Sequence, residues 1–211
     1  MSVLIVDYGL GNLWSVKNAF EFVGVKVRVS SNPAEVAAAN CLVLPGVGSF
    51  GTGMQNLHTR GLVAALDEAV VEKGAHIMGI CLGMQLLADG SEEAPGVRGL
   101  GLISGQVIKF RDNSLRLPHM GFNAAVPVGV DTNFFQSADG GMLDFYFVHS
   151  YCFVPNNESH VLTRTNYGGE FVSALQKGNI IGVQFHPEKS QSNGLFLIRH
   201  FVNSSSGTTN G

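Results

Sequence analysis

Two hydrophobic periods alternate along the first part of the chain. Residues 3–7, "VLIVD", form a short β-branched run that ends in the turn residues "DYGLGN". A run this continuously apolar predicts a strand buried on both faces. Asn12 stands where a helix cap belongs. Leu13, Val16, Phe20 and Val23 follow at spacings of three and four, and Gly24 supplies a stop. "VKVRVS" (25–30) alternates apolar and polar, which suits an edge strand or one with an exposed face. "CLVLPG" (41–46) reads as a buried strand stopped by Pro-Gly. "GLVAALDEAVVEKG" (61–74) places Leu62, Ala65, Leu66, Ala69 and Val70 on one helical side. "AHIMGI" (75–80) is a strand again, and "CLGMQLLAD" (81–89) starts a helix at once. Strand and helix thus alternate as far as residue 89, the pattern of a doubly wound, mainly parallel α/β sheet with flanking helices.

The second half differs. Residues 105–110, 143–150, 160–165, 171–176 and 180–185 are strand-like with little helix between them, so extra antiparallel strands are expected. Gly178-Asn179 between the last two runs is a hairpin signal. Residues 192–203 form the expected closing helix, and the small polar tail 204–211 is expected to be disordered. No repeat or linker divides the chain, so residues 1–203 are expected to form a single domain.

Composition narrows the function. The 211 residues are 45% hydrophobic and only 14% charged, with 27 glycines, which suits a covered sheet and disfavours disorder. Net charge is −3 and no segment is rich in Lys or Arg, which argues against a nucleic-acid partner. Cys41, Cys81 and Cys152 cannot form a closed disulfide set and lack metal-ligand spacing, which favours a reducing compartment. The N-terminus lacks the marks of a signal peptide, and no run approaches the roughly 20 apolar residues that span a bilayer. A cytoplasmic protein with no membrane association is expected. No histidine pair has metal-ligand spacing, so neither a metal nor another cofactor is expected.

Two glycine-rich turns carry candidate chemistry. "GVGSFG" (46–51) is a literal G-x-G-x-x-G after a strand. A dinucleotide fingerprint belongs to the first strand–helix turn, whereas this is about the third strand, and no acidic residue ends a following strand at the right distance. The loop then reads as tight turns or as a source of backbone N–H donors. "GICLG" (79–83) has the layout of a nucleophile elbow. A sharp strand-to-helix turn presents one side chain at its crest, and a Cβ on either flanking residue would strike its neighbours. The helix start favours an anion there. The Leu82 N–H is placed to stabilise an oxyanion, with a second donor from "PGVG" (45–48). The alternative is a buried structural cysteine.

A base tips the balance. His186, in "VQFHPEKS", follows the strand 180–185, and Glu188 two residues on points to the same side of an extended segment. Cys81, His186 and Glu188 therefore form a candidate nucleophile, base and orienting carboxylate. His149, after a strand, lines the site or is half-buried; His119 is expected in a turn. Cys41 and Cys152 are expected in the core.

These residues resemble the class I (triad) glutamine amidotransferases. "GICLGMQLL" with "HPE" carries the family resemblance. "DYGLGNLWSV", "LPGVGSFGTGM", "SEE", "PHMGFN", "FVHSY", "YGGEF" and "GVQFHPEKSQ" resemble one branch of it, in order over residues 3–203. That branch supplies ammonia to a (β/α)8-barrel cyclase subunit that makes imidazole glycerol phosphate in histidine biosynthesis. The resemblance implies that Cys81 attacks the glutamine amide, His186 moves the proton and Glu188 orients it. It also implies that the N–H groups of Leu82 and of Val47 or Gly48 hold the oxyanion. Glutamine-binding positions carried over are Gln85, Glu93, His149, Ser150 and Tyr151. Positions that resemble the cyclase interface are Asn12, Pro118, His119, Met120 and Lys189. The branch usually has tryptophan where Phe122 stands. Other readings are a glutaminase for a different synthase, a non-catalytic binding subunit on the same fold, and a cysteine hydrolase acting alone.

Overall fold

The first buried run, β1 (Ser2–Val6), pairs in parallel on both sides in the computed structural model, which describes residues 2–112, 114–128, 135 and 142–205. It leads to α1 (Leu13–Phe22), whose first turn is capped by the Asn12 side chain accepting from the Ser15 N–H at 3.1 Å. Then come β2 (Lys26–Ser30), α2 (Pro33–Ala37), β3 (Cys41–Leu44), α3 (Phe50–Thr59), α4 (Leu62–Asp67), β4 (His76–Ile80) and α5 (Leu82–Leu86). The second half supplies β5 (Gly90–Ser91), β6 (Gly105–Lys109), β7 (His119–Pro127), β8 (Leu143–His149), β9 (Tyr151–Pro155), β10 (Val161–Asn166), β11 (Glu170–Lys177), β12 (Ile180–Val183) and α6 (Gln191–Ser205).

The sheet runs β2-β1-β3-β4-β12-β11-β10-β7-β8. It is parallel from β2 to β12 and antiparallel beyond. β2 is the edge, as its alternation predicts. Alternate residues of the parallel strands feed two cores. Val3, Ile5, Val43, Met78 and Val183 face α1 and α6 through Val16, Phe20, Leu197 and Phe201. Leu4, Val6, Leu42, Leu44 and Ile77 face the other helices through Met54, Leu62, Leu66 and Leu86. Burial on both faces is why these strands are apolar at nearly every position. The β11–β12 hairpin stands where Gly178-Asn179 predicts it.

Several elements differ from the sequence reading. The helix expected over 61–74 ends as α-helix at Asp67 and continues as a π-helical turn, Glu68–Glu72. The helix expected over 81–89 spans only Leu82–Leu86. α2 and α3 had no clear helical signal, since α3 contains two glycines. Gly53 lets α3 approach α5: a Cβ there would lie 3.1 Å from Leu86. His119 does not lie in a turn but opens β7, an extended hairpin partner of β8. Its "HMGFNAAVP" lacks clean alternation because β7 is only half-buried. α6 runs two residues into the tail, to Ser205; residues 206–211 lie outside the described residues. Among the described residues, no helix is long and apolar enough to cross a membrane.

α6 also supports the turn that follows β12. Gly194 lies flat against the Pro187 backbone, where a Cβ would collide with the Pro187 carbonyl. Gly194→Ala is expected to destabilise the fold by roughly 2–3 kcal/mol, as overpacking against backbone does, read from the midpoint of urea unfolding.

Candidate active site

β4 and β12 are parallel neighbours, with Ile80 paired to Val183. Cys81 therefore leaves the sheet at the same carboxyl edge from which the chain runs on to His186. The Cys81 N–H donates to the Val183 carbonyl at 2.8 Å, which ties the two exits together. Cys81 has φ 54° and ψ −108°, and only one other described non-glycine residue has positive φ. This conformation costs of order 1–3 kcal/mol and is held by its surroundings. The surroundings are tight. A Cβ at Gly83 would run into the Leu44 carbonyl of β3. One at Gly79 would lie 2.8 Å from the Gly83 carbonyl oxygen and the Met84 nitrogen. Both flanking glycines thus meet the steric condition of the elbow.

Behind the crest, His186 Nδ1 and Glu188 Oε1 are 2.8 Å apart, with both side chains 2% exposed. A short 3-10 turn, Pro187–Lys189, brings the carboxylate back to the ring. The His186 N–H donates to the Tyr146 carbonyl on β8, and Ser190 Oγ donates to the His186 carbonyl. His186 Nε2 has no hydrogen-bond partner. Burial disfavours the imidazolium, but the Cys81 thiol and the Glu188 carboxylate outweigh it and push His186 up to about 10. Cys81 is the larger of the two raising influences, although Nε2 has no formed hydrogen bond to it. Burial instead pushes the thiols of Cys41 and Cys152 up to about 11, the behaviour of inert core cysteines.

Cys81 opens onto a cleft of about 320 Å³. Val47, Gly48 and Leu82, the three positions considered for oxyanion donors, line it, with Gly48 at φ 114°. So do Gln85, Glu93, His149, Ser150 and Tyr151. Glu93 Oε2 accepts from the Phe50 N–H at the start of α3, at 2.7 Å. The five positions carried over as substrate contacts thus come together, although they lie on α5, near β5 and on the β8–β9 bend.

The interface positions divide. Asn12, Pro118, Met120 and Lys189 are exposed. Pro118, reached through a cis peptide bond, lines the cleft itself. Lys189 Nζ sits 5.8 Å over the Tyr146 ring. His119 is buried, stacked on Phe147 and Tyr167, so its side chain faces the interior. Phe122 is exposed and meets the Tyr146 ring edge-on.

Three residues escaped the sequence reading. Val148 lends its carbonyl to the Cys81 sulfur at 3.8 Å. Gln184, wholly buried, donates from Nε2 to the same sulfur at 3.8 Å. Its place two residues before His186 on an extended segment was the available signal. Tyr8 has a buried hydroxyl without a partner, beside Gly46 of the glycine loop. Burial, and then the charge of Cys81, raise its pKa.

The fold and this cleft define a class. A glutamine amidotransferase class-I family model matches residues 4–204, and the chain belongs to that family. Within it, the chain is similar to the imidazole glycerol phosphate synthase subunit HisH of Moorella thermoacetica, at 47% identity over 94% of this chain and 93% of the relative. It is 46% identical to the subunit of the same name from Zymomonas mobilis, over 95% of each. A crystal structure of a glutamine amidotransferase shares the fold, with TM-score 0.75 and 20% identity over 96% of this chain and 98% of the other.

The pair of His186 and Glu188 has a pH signature. A group whose folded pKa is raised stabilises the fold fully below its unfolded value of 6.5, and the contribution is lost as pH rises through about 10. Glu188→Gln is expected to move the His186 titration to lower pH and to flatten stability between those limits. Histidine NMR and unfolding at pH 6, 8 and 10 measure this. A His186 titration unchanged by the substitution contradicts the assignment.

Proposed function

We propose that the chain is the glutaminase subunit of an imidazole glycerol phosphate synthase, and that Cys81, His186 and Glu188 carry the reaction. The observation that carries the reading is Cys81, at positive φ on the rim of the cleft, with the His186–Glu188 pair buried behind it. The names of the similar proteins support the particular synthase.

The chemistry follows from the geometry. With His186 held as an imidazolium, Cys81 supplies a thiolate to the carboxamide carbon of glutamine. The sulfur–carbon bond forms and the amide oxygen becomes an oxyanion. Leu82 N–H at the helix start and an N–H of Val47 or Gly48 are its proposed donors, a role supported by the position of all three residues in the cleft lining. Collapse breaks the carbon–nitrogen bond, and the nitrogen leaves as ammonia with the proton from His186. His186, now neutral, takes a proton from water as it attacks the thioester carbon; the carbon–sulfur bond then breaks, glutamate leaves and the Cys81 thiolate is restored beside the imidazolium. Glu188 stabilises the imidazolium each time it forms and orients the neutral ring between, as the orienting acid of a triad does.

Ammonia is mostly protonated near neutral pH, and ammonium is no nucleophile. It must therefore be delivered without meeting bulk water. A (β/α)8-barrel cyclase subunit docked over the cleft is the proposed receiver. Exposed Met120, Phe122, Trp14 and Val47 offer apolar surface on this chain, with Asn12, Pro118 and Lys189 as exposed positions of the same proposed contact.

The test mixes the full chain, glutamine and the cyclase subunit, with and without the cyclase's ribonucleotide substrate. Glutamate release is expected to require the partner and to rise with its ligand. Cys81→Ser is expected to lower that release about 10³-fold or more while the subunits still associate. Release that is independent of the partner, or that survives Cys81→Ser, contradicts the reading.

A further inference from the structure

His119 and His149 are two buried histidines that the triad does not use. The hydrogen bonds around them leave one arrangement of protons. His149 Nδ1 lies 2.8 Å from the Tyr151 carbonyl, which only accepts, so Nδ1 carries the proton. His149 Nε2 is then an acceptor. It lies 3.1 Å from His119 Nδ1, which must donate. That leaves His119 Nε2 as an acceptor, facing the Asn123 amide nitrogen at 3.3 Å. The same amide nitrogen donates to the Asn166 carbonyl, and the Asn123 oxygen accepts from the Ala124 N–H, so Asn123 has a fixed orientation.

The chain continues past Tyr151. Gln85 Nε2 donates to the Tyr151 carbonyl at 3.1 Å and to Gln184 Oε1 at 3.1 Å. Gln184 Nε2 donates to the Cys81 sulfur at 3.8 Å. One line of polar contacts therefore joins Asn123 on β7 to the candidate nucleophile. Both histidines are neutral. Burial holds His149 down at about 3 and His119 down at about 4.

We infer that His119 is a positioning residue for the substrate half of the cleft, acting through the His149 tautomer. The inference rests on the glutaminase reading proposed above. It excludes a proton relay on this line. The Tyr151 carbonyl accepts from both sides, from His149 and from Gln85, and a proton hopping along the line would have no donor to continue it. What the line does is hold the Tyr151 peptide and the Gln85 amide in one orientation. Both form the cleft wall where the glutamine side of the reaction would sit. Without the His119 donor, His149 Nε2 is a buried acceptor left empty. The ring then gains by turning toward another donor, and turning takes from the Tyr151 carbonyl one of its two donors and leaves it held by Gln85 alone.

The discriminating variants keep or remove one donor. His119→Phe preserves the stack on Phe147 and Tyr167 but has no N–H. His119→Asn keeps an N–H close to the position of Nδ1. In the complex with the cyclase subunit, His119→Phe is expected to raise the glutamine KM roughly tenfold with kcat within about twofold, the scale of one lost buried hydrogen bond. His119→Asn is expected to recover most of it. Nitrogen NMR of the histidine-labelled chain is expected to show His149 neutral and Nδ1-protonated at pH 7, with a shifted Nε2 resonance in His119→Phe. If His119→Phe does not fold, Asn123→Ala removes the donor to His119 and is expected to shift KM in the same direction by roughly threefold. A His149 protonated at Nε2 in the unaltered chain, or a KM untouched by loss of either donor, overturns the inference. The NMR result is independent of activity, so a complex that releases no glutamate would sink the glutaminase reading and leave this test standing.

Discussion

The approach of α5 to β3 sets up everything else at the site. Gly83 rests on the Leu44 carbonyl with no room for a side chain between them. Drawing a helix that close to the sheet, one residue after a strand ends, leaves too little chain for an ordinary turn. The turn residue is driven into positive φ, and that residue is Cys81. The strain is local, but the forces that hold it are spread through the buried faces of β3, β4 and β12. Backbone packing thus keeps the thiol on the rim of a cleft instead of in the core where Cys41 and Cys152 lie.

Parallel pairing solves the next problem. Cys81 lies more than a hundred residues before His186 and Glu188, yet β4 and β12 are neighbours and end together. β8 closes the arrangement from the antiparallel side. Its Tyr146 carbonyl holds the His186 backbone, and its Val148 carbonyl approaches the Cys81 sulfur. Both parts of the mixed sheet therefore build the candidate site: the parallel strands present the proposed triad, and the antiparallel strands supply the wall opposite.

Three buried histidines show how neighbours decide protonation. Burial acts on all of them in the same direction, against the charged ring. His186 has a carboxylate at 2.8 Å and a thiol nearby, and its pKa rises. His119 and His149 have each other, a carbonyl, the Asn123 amide and aromatic faces but no carboxylate, and burial makes theirs fall. A charged ring serves the bond-breaking side of the proposed site, and neutral rings hold the binding side.

Much of this was legible in the sequence. The buried runs at 41–46 and 75–80, the edge alternation at 25–30 and the hairpin at Gly178-Asn179 all follow from short-range periodicity, which the chain carries residue by residue. The elbow and the His186–Glu188 pair were also legible, because glycine at 79 and 83 and the i, i+2 spacing are local constraints. The tertiary structure decided what depends on contacts distant in sequence. α3 is helical despite its glycines because α5 packs against it. His119 turned inward because Phe147 and Tyr167 sandwich it, although its own segment shows no alternation to indicate burial. Gln184 and Tyr8 acquired their places beside Cys81 and the glycine loop in the same way. The sequence alone determined which residue types could perform the chemistry. Only the packing of strands far apart in the chain decided which of them meet, and therefore which histidine is charged.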